Sequence, residues 1–176
     1  MTGTEIERKW LLKRLPDDRK ALRSSSCYQI YVSKDPCIRI TKRFASKPGL
    51  VKVTCGMTLK GVGDLSRRET NLEISNQQYL EIYRFIGGKV QPIEKVDYFY
   101  SLEGIIDPSK LADLDEQLRV SIVDQGTPNE FIYAEVEFLD EEDAMAFEFP
   151  FPECEAVDVT FDPNYKMVNY WYRTRT

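Results

Sequence analysis

A chain of 176 residues is long enough to bury about 70% of the surface that its unfolded form exposes, so one self-standing domain over residues 1–176 is expected. With 42% hydrophobic and 30% charged residues and a net charge of −5, it has an ordinary globular profile that excludes indiscriminate nucleic-acid binding; a polyanion can bind only where Lys and Arg gather locally. Histidine is absent, which removes the usual zinc sites, the Ser/His nucleophile and histidine general-base chemistry, so a metal must be held by oxygen and Mg²⁺ or Mn²⁺ leads.

The first strand is expected over Thr4 to Leu12. Alternate side chains on a strand face opposite ways, so Glu5, Glu7 and Lys9 share one face while Ile6 and Arg8 share the other. Two same-face carboxylates about 7 Å apart repel unless a cation sits between them, although a solvated charged face gives the same pattern. Leu15 to about Arg23, with Pro16, Asp17 and Asp18 at its start, reads as a short helix. Alternation then gives a hairpin, Tyr28 to Val32 and Cys37 to Phe44, around a turn at Lys34-Asp35-Pro36. Lys47-Pro48-Gly49 turns the chain into a strand from Leu50 to Lys60, and another follows from about Leu65 to Ile74.

Ser75 to Gln78 suits a helix cap, and Tyr79, Leu80, Ile82, Tyr83 and Ile86 form an apolar stripe that Gly87-Gly88 terminates. Val90 to Leu102 reads as a long strand and Asp107 to Gln117 as a short helix. Strands from Leu118 to Asp124 and from Phe131 to Phe138 follow, the second placing Glu135 and Glu137 on one face. A last short helix is expected over Leu139 to Phe147, with acidic residues at its positive end. Cys27, Cys37, Cys55 and Cys154 show no Cys-x-x-Cys spacing and read as reduced thiols. With no leader and no apolar run near ~20 residues, the expectation is a cytoplasmic protein with no membrane partner. About eight strands joined mostly by short turns indicate an α+β, mainly antiparallel fold, as a barrel or a strongly curved sheet with helices outside.

Six fragments occur in one order: Glu5-Ile6-Glu7-Arg8-Lys9, Gln29-Ile30-Tyr31-Val32, Leu59-Lys60-Gly61, Arg67-Arg68-Glu69, Ala134-Glu135-Val136-Glu137, and Asp158-Val159-Thr160 with Tyr165. Together they resemble the CYTH superfamily, the triphosphate tunnel metalloenzymes. The resemblance implies an eight-stranded closed β-barrel whose tunnel binds triphosphate, with Glu5, Glu7, Glu135 and Glu137 as metal ligands. It also implies Lys9, Arg39, Arg43, Lys60, Arg67, Lys95 and Lys166 as cations for triphosphate. Arg43 enters as compensation for a lost arginine. Glu69, which shares a face with Arg67 and Asn71, is the next candidate for positioning a lysine or a water, with a structural partner of Arg67 as the alternative, and with Lys9 it makes up the catalytic set. Asp158 and Thr160 are expected to fix the C-terminal segment, and the aromatic runs Tyr98-Phe99-Tyr100 and Tyr170-Trp171-Tyr172 to pack.

Three positions depart from that pattern. Thr41 stands for a second arginine, Asn71 for a second glutamate and Asp97 for another arginine, so two cations and one carboxylate are lost. Asp97, if inward, adds repulsion toward a polyanion. The leading expectation is a divalent-metal-dependent phosphohydrolase acting on tripolyphosphate, ATP or another nucleoside triphosphate. The alternatives are a class IV type adenylate cyclase and a non-catalytic nucleotide- or polyphosphate-binding module.

Overall fold

The computed structural model describes residues 2–17, 20–47 and 50–175. Among them, eight strands close on themselves: β1 (Thr2–Leu12), β2 (Arg23–Ser33), β3 (Cys37–Lys47), β4 (Leu50–Lys60), β5 (Ser66–Ile74), β6 (Ile93–Tyr100), β7 (Leu118–Val123) and β8 (Phe131–Phe138). Their order is β5-β4-β3-β2-β6-β7-β8-β1, and β1 returns to pair with β5, which makes the sheet a closed antiparallel barrel with no open edge. A two-residue strand, β9 (Val157–Asp158), is added beside β1.

Closure gives each strand one inner and one outer face, and the distribution of polarity is the reverse of a filled barrel. Glu5, Glu7 and Lys9 point inward, while Ile6, Arg8 and Trp10 point outward into packed surroundings. Most of the hydrophobic material therefore lies outside the barrel wall, in two clusters, the second of which also takes in the inward-facing Tyr31, Val123 and Tyr133. In the first, Trp10, Leu118, Val120, Val136 and Phe138 are covered by the short helix α2 (Glu141–Ala146) and the aromatic segment after it, with Trp10 and Phe147 rings 5.6 Å apart. In the second, Ile30 and Ile40 lie under Tyr79 of α1 (Asn76–Phe85), while Met167, Tyr170 and Trp171 of α3 (Met167–Arg175) pack on Tyr31, Val123 and Tyr133. Burying a side chain such as Phe138 or Leu118 stabilises the fold by roughly 2 kcal/mol, so these outer clusters hold a barrel whose interior is free to be charged.

The helix ends follow their chemistry. Ser75 accepts from the Gln78 amide at 3.1 Å while the Gln78 side chain accepts from the Ser75 amide at 2.7 Å, a reciprocal capping box. Gly87 and Gly88, with φ of 101° and 63°, stop that helix. Asp140 caps α2 by accepting from the Glu142 amide at 2.7 Å.

Several expected boundaries move. Residues 15–17 are not helical and Arg23 already belongs to β2, because the stretch from Arg23 is drawn into pairing with Phe99 and its neighbours; the part of the expected helix at Asp18 and Arg19 lies outside the described residues. The Pro48-Gly49 turn also lies outside them. The helix expected from Asp107 to Gln117 contracts to a 3₁₀ turn, Pro108–Lys110, since Leu111 bridges to Phe138 and the Ala112 amide donates to the Glu137 carbonyl at 3.0 Å. The strand expected from Val90 begins only at Ile93. No helix among the described residues is long and apolar enough to cross a membrane.

Candidate active site in the barrel interior

The barrel surrounds a cavity of about 750 Å³, lined by residues from all eight closing strands and by residues between 159 and 169 across one side. Glu5, Glu7 and Glu137 meet in it, each offering a carboxylate oxygen within 4.8 Å of the others. Their convergence follows from register: Glu7 stands directly opposite Glu137 across β1 and β8, and Glu5 lies two residues along the same face. Like charges at opposed positions destabilise a sheet unless something neutralises them. Glu5 is neutralised by Lys60, at 2.8 and 2.9 Å, and by Arg67 at 2.7 Å. Among the described residues, Glu7 has only distant cations, Arg67 at 3.7 Å and Lys9 at 3.9 Å. For Glu137, burial and the negative charges of Glu7, Glu5 and Glu135 outweigh Arg119 at 3.7 Å, and its carboxyl is pushed up to about 7.

Glu135, expected with these three, takes other partners. It pairs with Lys9 at 2.8 Å and with Arg119 at 3.1 and 2.7 Å. Burial opposes its ionisation, but Lys9, Arg119 and Lys95 hold it well below the ordinary carboxylate range. Arg119 lies outside the fragments that carry the family resemblance, although Leu118-Arg119-Val120-Ser121-Ile122 alternates cleanly and puts Arg119 and Ser121 on the inner face. Lys9 also lies 4.7 Å from the centre of the Tyr133 ring.

Lys60 bridges Glu5 and Glu69, the latter at 2.6 Å. Burial pushes Glu69 up, but the charges of Lys60 and Arg39 and hydrogen bonds from Lys60 and Asn71 prevail and lower it to about 2. It is a fixed anion that holds Lys60. Arg39 is different: it donates to Gln29 at 3.5 Å, its buried Nε has no hydrogen-bond partner, and it makes no ion pair among the described residues. Gln29 itself donates to the Tyr31 hydroxyl at 2.8 Å. Lys166 crosses the rim to the Gly63 carbonyl at 3.2 Å and to Asp64.

All three departures face inward. Thr41 stands opposite Gly56, where an added Cβ would lie 3.4 Å from the Thr41 hydroxyl. Asn71 accepts from Thr58 at 2.8 Å and donates to Glu69 at 2.6 Å. Asp97 is completely buried, 3.0 Å from Arg43, 3.8 Å from Lys95 and 2.7 Å from the Ser121 hydroxyl that donates to it. Arg43 donates also to Ser25 at 3.0 Å, and Lys95 to the Tyr133 hydroxyl. Outside the barrel wall, Arg8 ties β1 to the C-terminal segment through Asp158 at 2.5 Å and Thr160 at 3.3 Å, and Thr160 accepts from the Lys9 amide at 3.1 Å. Phe99, Tyr100, Tyr170 and Trp171 are buried in packing.

Neither a family model nor a curated protein matches the chain. Among solved structures it is similar to the crystal structure of the hypothetical protein NE1496, at 26% identity and a TM-score of 0.52 over 94% of this chain and 96% of that one. The structure of the PH1819 protein from Pyrococcus horikoshii OT3 follows at 18% identity and a TM-score of 0.49, over 80% and 83%.

Proposed function

We propose that this protein is a divalent-metal-dependent phosphohydrolase of the CYTH type, cleaving the terminal phosphoanhydride of inorganic triphosphate or a nucleoside triphosphate. The observation that carries the reading is the meeting of Glu5, Glu7 and Glu137 within 4.8 Å, inside a closed cavity that also holds Lys60, Arg67 and Arg39. The donor set fits Mg²⁺ or Mn²⁺, since it is all carboxylate oxygen and the raised Glu137 marks an excess of negative charge that a cation relieves. Such an ion, when bound, neutralises and polarises phosphate oxygens.

The chain's own residues supply the remainder. Lys60 and Arg67 stand beside Glu5 and would hold non-bridging oxygens of the phosphate chain, and Arg39, with its Nε unpartnered and no ion pair among the described residues, offers a further guanidinium. Glu69, held ionised, orients Lys60 and does not take a proton. Lys9 is kept charged by Glu135 and Glu7 against the cost of burial, which fixes one positive charge next to the carboxylates. The barrel wall surrounds these groups with low-dielectric protein, which strengthens each of these interactions.

Product analysis tests the reading. The pure protein is incubated with inorganic triphosphate or ATP, with Mg²⁺, Mn²⁺ or chelator. Orthophosphate that forms only with the metal is expected. Cyclic AMP with pyrophosphate would transfer the assignment to the cyclase class, and ligand binding without any product would transfer it to a binding module.

A further inference from the structure

The cavity's cations divide according to what already neutralises them. Lys60 and Arg67 share Glu5, a carboxylate that a metal ion would claim, so both are releasable to a phosphate chain. Arg43 and Lys95 are held by Asp97, which has no exposed surface and does not line the cavity, although the two cations do. Asp97 faces inward two residues along β6 from Lys95 and is packed beyond the edge of the cavity, reaching the two cations from there. Its 3.0 Å approach to Arg43 has ion-pair separation without hydrogen-bond alignment, so charge is what holds Arg43 there. Lys95 is further fixed by the Tyr133 hydroxyl and Arg43 by Ser25. The wall beside them is neutral and hydrogen-bonding: Cys27, Gln29 and Thr41.

We propose that Asp97 is a specificity-determining residue. It cancels one of the two charges of Arg43 and Lys95 and immobilises both, so that the phosphate chain binds on the Lys60, Arg67 and Arg39 side. An uncharged polar organic group then lies against Cys27, Gln29 and Thr41. The phosphate part of this inference rests on the phosphohydrolase reading. A bare inorganic triphosphate is charged along its whole length, and its far end would meet a wall that offers little positive charge. A conjugate such as a nucleoside triphosphate carries its charge at one end only and matches the asymmetry of the cavity.

Asp97→Asn tests it, because the substitution keeps the shape and a partner for Ser121 while removing the charge. Titration calorimetry of inorganic triphosphate and of ATP, with Mg²⁺ and with chelator, is compared between wild type and variant. Wild type is expected to bind ATP the more tightly. In the variant, inorganic triphosphate should bind about ten-fold more tightly than in wild type, with a smaller change for ATP. Unchanged or weakened triphosphate binding by the folded variant would overturn the proposal. If Asp97→Asn does not fold, Asp97→Ser, which removes the same charge and leaves a hydroxyl beside Ser121, is measured in its place; the same gain is expected and its absence overturns the proposal. Wild-type turnover is scored separately. Failure to hydrolyse either compound removes the phosphohydrolase reading and leaves the binding comparison standing, whereas turnover with an unmoved binding ratio removes only the role of Asp97.

Discussion

Two groups of buried carboxylates lie in one barrel and behave in opposite ways. Glu5, Glu7 and Glu137 are gathered with too little positive charge among them, and Glu137 is pushed up to about 7. Asp97 is more deeply buried than any of them, yet Lys95, Arg43 and Arg119 outweigh that burial and keep it ionised. Burial alone decides neither case. Burial pushes both up, and neighbours set the outcome: the carboxylates around Glu137 add to its burial and leave it prepared to receive a cation, while the cations beside Asp97 override its burial and are consumed by it.

Substituting within the trio should produce the largest effect. Glu7→Gln removes the member that has no close cation of its own, and so weakens the site for a metal without stranding a partner. Metal-dependent turnover should fall by more than about 100-fold while circular dichroism and the melting temperature in chelator remain near wild type. Wild-type turnover in that variant would show that Glu7 holds no metal and would erase the contrast between the two groups. Lys60→Ala should act less strongly and on binding: about ten-fold in KM for a triphosphate, the loss of one charge-assisted hydrogen bond, with a smaller change in kcat. An unchanged KM would remove Lys60 from the phosphate side of the cavity.

How much of this was legible in the sequence follows from what strand periodicity can and cannot carry. A closed barrel has a single interior, so the alternation that put Glu5, Glu7 and Lys9 on one face also placed Arg39, Arg43, Lys60, Arg67, Glu69 and Lys95 inside. Partners were not legible, because they depend on register between strands far apart in the chain. Glu135 sits two residues from Glu137 on the same face, but Arg119 stands directly across from it on β7 and takes it from the carboxylate group. The pairing of Asp97 with Arg43 spans three strands, β6, β2 and β3, and no local pattern announces it. Helix boundaries failed where tertiary pairing overrode local preference, as at Leu111, which leaves its turn to bridge Phe138.

The smallest predicted effect bears on the trio without any substrate. An unfolded glutamate titrates near 4.5 and folded Glu137 near 7, so its folded-state pKa is raised. Below the unfolded value both states are protonated and Glu137 costs nothing. As pH rises from there the unfolded chain gives up the proton first, stability falls, and the loss is complete above the folded value. Glu137→Gln removes this titration. Solvent screens this side chain, which is 35% exposed, so in chelator at pH 8 the variant should melt only about 2–4 °C above wild type, the shift that roughly 1 kcal/mol produces in a domain of this size. At pH 4 the two should melt together. Adding Mg²⁺ or Mn²⁺ at pH 8 should raise wild type more than the variant, since the cation supplies to Glu5, Glu7 and Glu137 the positive charge that Asp97 finds in Arg43 and Lys95. Equal melting of the two proteins at both pH values would mean that Glu137 bears no excess charge and that the two groups of carboxylates do not differ in kind.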